Sequence, residues 1–206
     1  MGLKVSTQSV VFQKMPELPE RHRHLLNRLP KHYHQTELFS EMAQVQNPEK
    51  LPKQYLKGDL ETLEHTELFE SNLIKHIFNG EVKTASAGKG KTRLEATGYH
   101  TEVIRNAEGR IIPGTKSELN EKGVYQGRVT VNGIRKRTMG GMSTFFPEHW
   151  SPQHIVNAIN EAYANKRLKT NTLNMYEGSS SEGVRIRMRV NANGKIVNVY
   201  PLMEEN

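Results

Sequence analysis

The chain has 206 residues, of which 35% are hydrophobic, and a formal net charge of +7. Because cysteine is absent, disulfides, thiolate metal sites and cysteine nucleophiles are excluded. No apolar run approaches the ~20 residues of a membrane span, and the N-terminus lacks the apolar stretch typical of a signal peptide.

The positive charge is concentrated in the second part of the chain. Residues 1–74 contain 9 Lys/Arg and 10 Asp/Glu, whereas residues 75–206 contain 20 Lys/Arg and 12 Asp/Glu. Lys and Arg displace counterions from nucleic acid, so a basic domain favours a phosphate-rich partner. The alternative is a basic surface that serves only solubility.

Residues 1–65 are predicted to form an arm, a linker or a small helical subdomain. Prolines interrupt any long element here, at Pro16, Pro19, Pro30, Pro48 and Pro52. Two histidine pairs, His22/His24 and His32/His34, could each share one face of an extended chain and bind a metal ion. Because no third ligand is organised beside them, we predict no metal site.

Residues 66–78 are predicted to be a helix, because an apolar stripe recurs at helical spacing. Thr66 is a suitable N-cap and Asn79-Gly80 a suitable end. His76 would then lie at the end of this helix. Residues 81–98 are rich in Gly, Lys, Thr and Ala, which is typical of a mobile surface loop.

The remaining chain is predicted to alternate hairpins with one helix. Hairpins are expected at 102–104/110–112, at 124–131/134–138 around Asn132-Gly133, and at 184–190/195–201. Ser151-Pro152 is typical of a helix start, and the buried face would contain Ile155, Ala158, Ile159, Ala162 and Tyr163. The order predicts an α+β domain over 66–206, with mostly antiparallel sheets and packed helices. Phe145, Phe146 and Trp150 are expected in its core.

Two of the nine histidines, His76 and His100, stand beside glycine-marked loops. Histidine can act as acid and as base near neutral pH. Cleavage of RNA needs a base for the 2′-hydroxyl, an acid for the departing 5′-oxygen and a cation for the transition state. Two histidines and a lysine could supply all three, although this spacing alone also fits ordinary polar histidines.

Several motifs occur together and in order: HIFNGE at 76–81, GYH at 98–100, STFFP at 143–147 with Trp150-Ser151, and Gly194-Lys195-Ile196 followed by Tyr200-Pro201. In this combination residues 66–203 resemble the bacterial EndoU family of endoribonucleases. The resemblance implies an EndoU-like ribonuclease fold and metal-independent, cofactor-free cleavage of RNA. The product would be a 2′,3′-cyclic phosphate, with a preference for uridine.

The resemblance also implies residue roles. His100 would be the general base and His76 the general acid. Lys136 is the choice for the cation, although it could be one more solvated charge in the run 135–137. Tyr200 and Asn198 would bind base and ribose, Asn198 standing where the family often has Ser or Thr. The secondary candidates for substrate contact are Ser143 and Thr144.

Two basic segments remain. Lys89 and Lys91 lie in an insertion between the two histidines and would contact RNA phosphates, unless the insertion is only a tolerated surface loop. Arg185, Arg187 and Arg189 alternate along one predicted strand. They could bind RNA, dock an acidic inhibitor or face solvent.

The resemblance further implies the toxic C-terminal part of a bacterial polymorphic toxin, secreted or delivered into the cytoplasm of a target cell. Its partners would be an RNA substrate and a cognate immunity protein, and residues 1–65 would be a remnant of the delivery region. One alternative is a non-catalytic RNA- or protein-binding module on the same fold. A weaker alternative is a metal-dependent nuclease.

Overall fold

A computed structural model describes residues 55–203 of the chain. The histidine pairs at 22–34 and most of the predicted arm lie outside the described residues. Within 55–203, no helix is both long enough and apolar enough to cross a membrane.

The described part combines short helices with antiparallel strands, which confirms the α+β prediction. The helices are α1 (Leu73–Phe78) and α2 (Pro152–Ala164). The strands are β1 (Glu81–Gly88), β2 (Lys91–Thr97), β3 (Gly109–Ile111), β4 (Tyr125–Val131), β5 (Ile134–Arg135), β6 (Met142–Phe145), β7 (Arg167–Leu168), β8 (Met175–Ser179), β9 (Arg185–Val190) and β10 (Ile196–Pro201). Short 3-10 segments cover Lys57–Thr62 and Thr138–Gly141.

The strands form three antiparallel groups. One sheet consists of the two strands β1 and β2. A second sheet has the strand order β10-β9-β8-β7. The third has the order β3-β4-β5, and β6 also pairs with β4. Along β4, alternate side chains are buried, as the sequence predicts. Asn132 and Gly133 both have positive φ, which the tight turn between β4 and β5 requires.

The predicted helix after Ser151 is confirmed. The Ser151 hydroxyl accepts a hydrogen bond from the amide of His154 at 3.1 Å, and Pro152 begins α2. The helix contacts β8 and β9 through its buried residues, which include Ile155, Ala158, Ile159 and Ala162. Phe145, Phe146 and Trp150 are fully buried, as predicted.

The prediction of a helix over 66–78 is wrong in its first half, because α1 begins only at Leu73. The backbone of 68–70 instead bonds to the start of β10. The amide of Ile196 donates to the carbonyl of Leu68 at 2.7 Å, and the amide of Glu70 donates to the carbonyl of Ile196 at 3.0 Å. This tertiary pairing takes the groups that a longer helix would use.

The prediction of a mobile loop over 81–98 is also wrong, because the segment is the β1–β2 hairpin. Lys89 and Gly90 form its turn with positive φ values of 49° and 73°. Few of its side chains are buried. The apolar alternation that normally marks a strand is therefore absent from the sequence.

The first predicted hairpin, 102–104/110–112, does not form. Ile104 makes a parallel bridge to Tyr55, while β3 pairs with β4. The expected strand 134–138 ends at Arg135 because Lys136 bridges Ala96 of β2. Residues near Tyr55 thus contact the domain, and the boundary at residue 65 stays a prediction.

Candidate active site

His76 and His100 meet where the end of α1 contacts the segment after β2. The carbonyls of His76 and Ile77 accept hydrogen bonds from the amides of Tyr99 and His100, both at 2.8 Å. Gly98 permits this approach, because a Cβ there would lie 2.2 Å from the His76 carbonyl oxygen and its φ is +75°. The two imidazole centroids are 5.5 Å apart.

His100 is held as a neutral base. Its Nδ1 lies 2.8 Å from the Thr144 carbonyl oxygen. Since a carbonyl only accepts, Nδ1 carries the proton and Nε2 keeps its lone pair. The side chain is 3% exposed. Burial lowers the pKa of His100 well below its usual value, and the charges of Lys136 and His76 lower it further, against the opposing Thr144 carbonyl.

His76 has a different partner. Its Nδ1 lies 3.0 Å from Oε1 of Glu81 and donates to it, because an ionised carboxylate only accepts. The hydrogen bond from His76 is the largest influence on the pKa of Glu81 and lowers it, so Glu81 is ionised at neutral pH. His76 Nε2 is buried without a hydrogen-bond partner among the described residues.

Glu81 was not among the residues predicted for the site. It directly follows Gly80 in the HIFNGE motif and is the first residue of β1. The motif contained the signal, since an acidic residue stands five positions after a candidate acid. Glu81 was overlooked because residues 81–98 were predicted to be a loop.

Lys136 reaches the same site. Its Nζ donates to the Ser143 hydroxyl at 2.8 Å, and this hydroxyl donates to the Gly98 carbonyl at 2.9 Å. Burial lowers the pKa of Lys136 to about 8, against the raising influence of Glu95. The lysine is therefore mostly charged at pH 7. Its neighbours Arg135 and Arg137 are exposed, which favours Lys136 as the cation.

Glu95 supplies a buried countercharge near Lys136. It is 4% exposed and accepts hydrogen bonds from the Thr138 amide at 2.9 Å and from Arg93 at 3.3 Å. The Thr138 amide is the main cause of its lowered pKa. Glu95 was likewise missed by the sequence analysis, because an acidic residue in a polar segment carries no distinguishing pattern.

Tyr200 and Asn198 lie on one side of β10 beside His100. The Tyr200 ring is stacked on the His100 imidazole, with centroids 5.8 Å apart and planes at 21°. Asn198, two residues earlier, shares that strand face. Its Oδ1 is buried without a hydrogen-bond partner within residues 55–203. An aromatic ring and an amide oxygen, both suited to contact a nucleoside, thus lie on one face of β10.

Ser143 and Thr144 occupy supporting positions. Ser143 is 2% exposed, and its hydroxyl serves Lys136 and Gly98 rather than a substrate. The Thr144 hydroxyl donates to the Pro201 carbonyl at 2.6 Å, which links β6 to β10. Both hydroxyls therefore hold neighbouring groups in place, Ser143 at Lys136 and Gly98, and Thr144 at Pro201.

Lys89 and Lys91 lie apart from the histidines. They are exposed at the far end of a hairpin whose first strand has eight residues, a length of about 27 Å. Of the three arginines that alternate along β9, Arg185 and Arg187 form salt bridges with Glu177, at 2.8 Å and 2.7 Å.

The arrangement brings two histidines and a lysine together on an antiparallel α+β domain. The pattern of a family described as Bacterial EndoU nuclease matches residues 70–203. A protein of Bacillus cereus strain ATCC 14579 named "Toxin" is 47% identical over 142 residues, which cover 69% of this chain and 24% of that protein. No solved structure matches the chain. The chain belongs to the bacterial EndoU nuclease family, as the resemblance indicated, and spans about a quarter of this relative's length.

Proposed function

We propose that this domain cleaves RNA by attack of a 2′-hydroxyl on the adjacent phosphodiester, leaving a 2′,3′-cyclic phosphate. The observation that carries the proposal is the pair of imidazoles 5.5 Å apart, one bound through Nδ1 to a carbonyl and the other to a carboxylate. In this proposal Nε2 of each histidine takes part in the reaction. Burial and neighbouring cations keep His100 neutral, whereas His76 is hydrogen-bonded to the ionised Glu81.

The proton transfers follow from these environments. Nε2 of His100 takes the proton of the 2′-hydroxyl while the 2′-oxygen bonds to phosphorus. The bond from phosphorus to the 5′-oxygen breaks, and Nε2 of His76 gives that oxygen its proton. Glu81 is a positioning residue that holds the His76 ring through its Nδ1 proton.

Lys136 supplies the positive charge for the transition state. Its ammonium group is anchored by Ser143 and partly buried, so it acts in a site with little competing water. With two proton carriers and a cation provided by side chains, we propose that the reaction is independent of metal ions and of any cofactor.

Asn198 and Tyr200 support a preference for uridine. The unpaired Oδ1 of Asn198 is an acceptor that matches the N3–H donor of uracil. Cytosine has an acceptor instead of a donor at N3, so it would not pair with Oδ1 at that position. Tyr200 offers a ring face for stacking on the base or ribose.

The biological setting is proposed from the relative. A protein named "Toxin" shares this domain, and a nuclease of this kind acts on a competitor only if delivered into its cytoplasm. The producing cell then requires a cognate immunity protein, and residues 1–65 would belong to the delivery region. Expression of the chain inside a bacterial cytoplasm should stop growth, and His100→Ala should abolish this effect.

The test of the reaction is the chemistry of the RNA ends. Purified chain is incubated with RNA in the presence and absence of a chelator, and the product ends are sequenced and chemically typed. We expect cyclic phosphates after uridine, made equally well with chelator. Linear 3′-hydroxyl ends, or cleavage that stops with chelator, would contradict the proposal. RNA retarded in a gel but never cut would favour the binding-module alternative.

A further inference from the structure

The β1–β2 hairpin carries its charges on one face only. Residues paired across antiparallel strands point to the same side, and the register pairs Glu81 with Thr97, Lys83 with Glu95, and Ala85 with Arg93. Lys91 precedes Arg93 by two residues and shares its face. We call Lys83, Lys91 and Arg93, together with Lys89 in the turn, the cationic face. The opposite face contains only uncharged side chains, Val82, Thr84, Ser86, Thr92, Leu94 and Ala96.

The cationic face begins at the candidate active site. On the same side of the hairpin, Glu81 bonds to His76, and Glu95 accepts a hydrogen bond from the amide of Thr138, two residues after Lys136. These two carboxylates are turned inward, and Glu95 is 4% exposed. The side chains of Lys83 and Arg93 are much more exposed, at 54% and 40%. Lys83 and Arg93 are each paired with one of these carboxylates, at 3.2 Å and 3.3 Å, so the excess positive charge of the hairpin lies with Lys89 and Lys91 at its far end.

The proposed chemistry orients a bound strand. His76 protonates the 5′-oxygen of the nucleotide that leaves, so the nucleotide on the 3′ side of the cleaved bond lies next to His76 and Glu81. Tyr200 and Asn198 hold the nucleotide on the 5′ side. An RNA that continues in the 3′ direction thus meets the base of the hairpin, not the β7–β10 sheet.

We propose that the cationic face binds the phosphates of the RNA strand on the 3′ side of the cleaved bond. This inference rests on the proposed function. The eight residues of β1 extend about 27 Å, which is enough for several nucleotides of single strand. RNA fits better than a protein partner because the centre of a protein interface is depleted in charge and rich in aromatic residues. The uncharged residues paired on this side of the two strands are Ala85, Gly88 and Thr97, none of which is aromatic.

The test compares three substrates with the purified full chain. The first is a dinucleotide with uridine on the 5′ side, and the other two extend it by about six nucleotides, one in the 3′ direction and one in the 5′ direction. For wild type, we expect kcat/KM to rise with the 3′ extension. In Lys89→Gln/Lys91→Gln, the ratio of kcat/KM for the 3′-extended substrate to that for the dinucleotide should fall on the order of tenfold.

Two further measurements sharpen the result. The slope of log(kcat/KM) against log[salt] for the 3′-extended substrate should become shallower by about 0.7 for each RNA phosphate that the variant no longer neutralises. The matched control Arg105→Gln/Lys122→Gln removes two exposed charges elsewhere. It should leave the ratio for the 3′ extension at the wild-type value.

The outcomes separate this inference from the proposed function. If wild type cleaves none of the three substrates, both are wrong. If it cleaves all three but gains nothing from the 3′ extension, or if the hairpin variant leaves that gain intact, only the cationic face is wrong. Equal losses for the 3′ and 5′ extensions, or equal losses in the control variant, would indicate a general charge effect and also overturn it.

Discussion

The pocket of His76 and the pocket of His100 contain the same side chain in opposite settings. His76 lies at the end of α1 and bonds to the carboxylate of Glu81. His100 lies between β6 and β10, bonds to a carbonyl of Thr144 and has Lys136 among the charges that lower its pKa. Burial beside cations favours the neutral ring of His100, whereas the ring of His76 is bonded to a carboxylate whose own pKa is lowered.

The difference shows that the role of each histidine is set by its Nδ1 partner and its charged neighbours. In both pockets Nδ1 is hydrogen-bonded to an oxygen that only accepts, so this contact alone would not separate the proposed acid from the proposed base. The proposed roles differ because His100 is kept neutral by burial and neighbouring cations, whereas His76 is bonded to the ionised Glu81. Substitutions in each pocket, combined with a substrate that needs no acid, test this contrast.

Loss of either histidine should give the largest effect. His100→Ala and His76→Ala should each lower kcat on ordinary RNA by about 10²- to 10⁴-fold. A uridine 3′-phosphate ester with an aryl leaving group needs no acid, because the phenolate departs unprotonated. On that substrate His76→Ala should recover most of its activity and His100→Ala should not. Equal recovery by both variants, measured by release of the phenolate, would contradict the assigned roles.

Substitution of Lys136, the proposed cation of the site, should give the next largest effect. Lys136→Met should lower kcat by about 10²- to 10³-fold on ordinary RNA, as for loss of one group that stabilises transition-state charge. The aryl ester should not rescue it, because charge still develops on the phosphoryl oxygens. Arg135→Met is the matched control, since this neighbour is exposed. A loss of the same size in the control would indicate that Lys136 acts only through general charge.

His76 and His100 could be proposed from the sequence because short motifs contain them. Their roles as acid and base were proposed from the family resemblance. Lys136 was chosen from a run of three cations, and its bond to Ser143 supports that choice. Glu81 was missed because its partner is fixed by the turn at Gly80, whose positive φ leads directly into β1. A sequence pattern alone does not show that turn to place the carboxylate against His76.

The errors in the fold prediction concern backbone pairings that leave no recognisable pattern in the sequence. The hairpin of β1 and β2 buries little, so it lacks alternating apolar residues. The first part of the expected 66–78 helix is held by β10, more than a hundred residues away. By contrast, β4 and α2 were predicted well because each buries one regular face.

Glu81→Gln should produce a smaller loss, about tenfold in kcat with little change in KM, because the carboxylate that holds the His76 Nδ1 proton is replaced by a neutral amide. A positioning role predicts that this loss disappears on the aryl ester, as for His76→Ala. Glu95→Gln provides the comparison, since that carboxylate lies near Lys136 instead. If Glu81→Gln were equally impaired on both substrates, its contribution would be to structure rather than to the acid.

The smallest effect is a shift of the pH profile. The base must be neutral, and burial, then Lys136 and His76, lower the pKa of His100 below its ordinary value of 6.5. Activity should therefore persist as pH falls below 6.5 and be lost only as pH passes through the lowered pKa. In Lys136→Met one repelling cation is gone, so the acid limb of kcat/KM should move up toward 6.5. It should remain below 6.5 because burial, the larger cause, persists. A wild-type limb at or above 6.5, or a limb that does not move in the variant, would remove the electrostatic distinction between the two pockets.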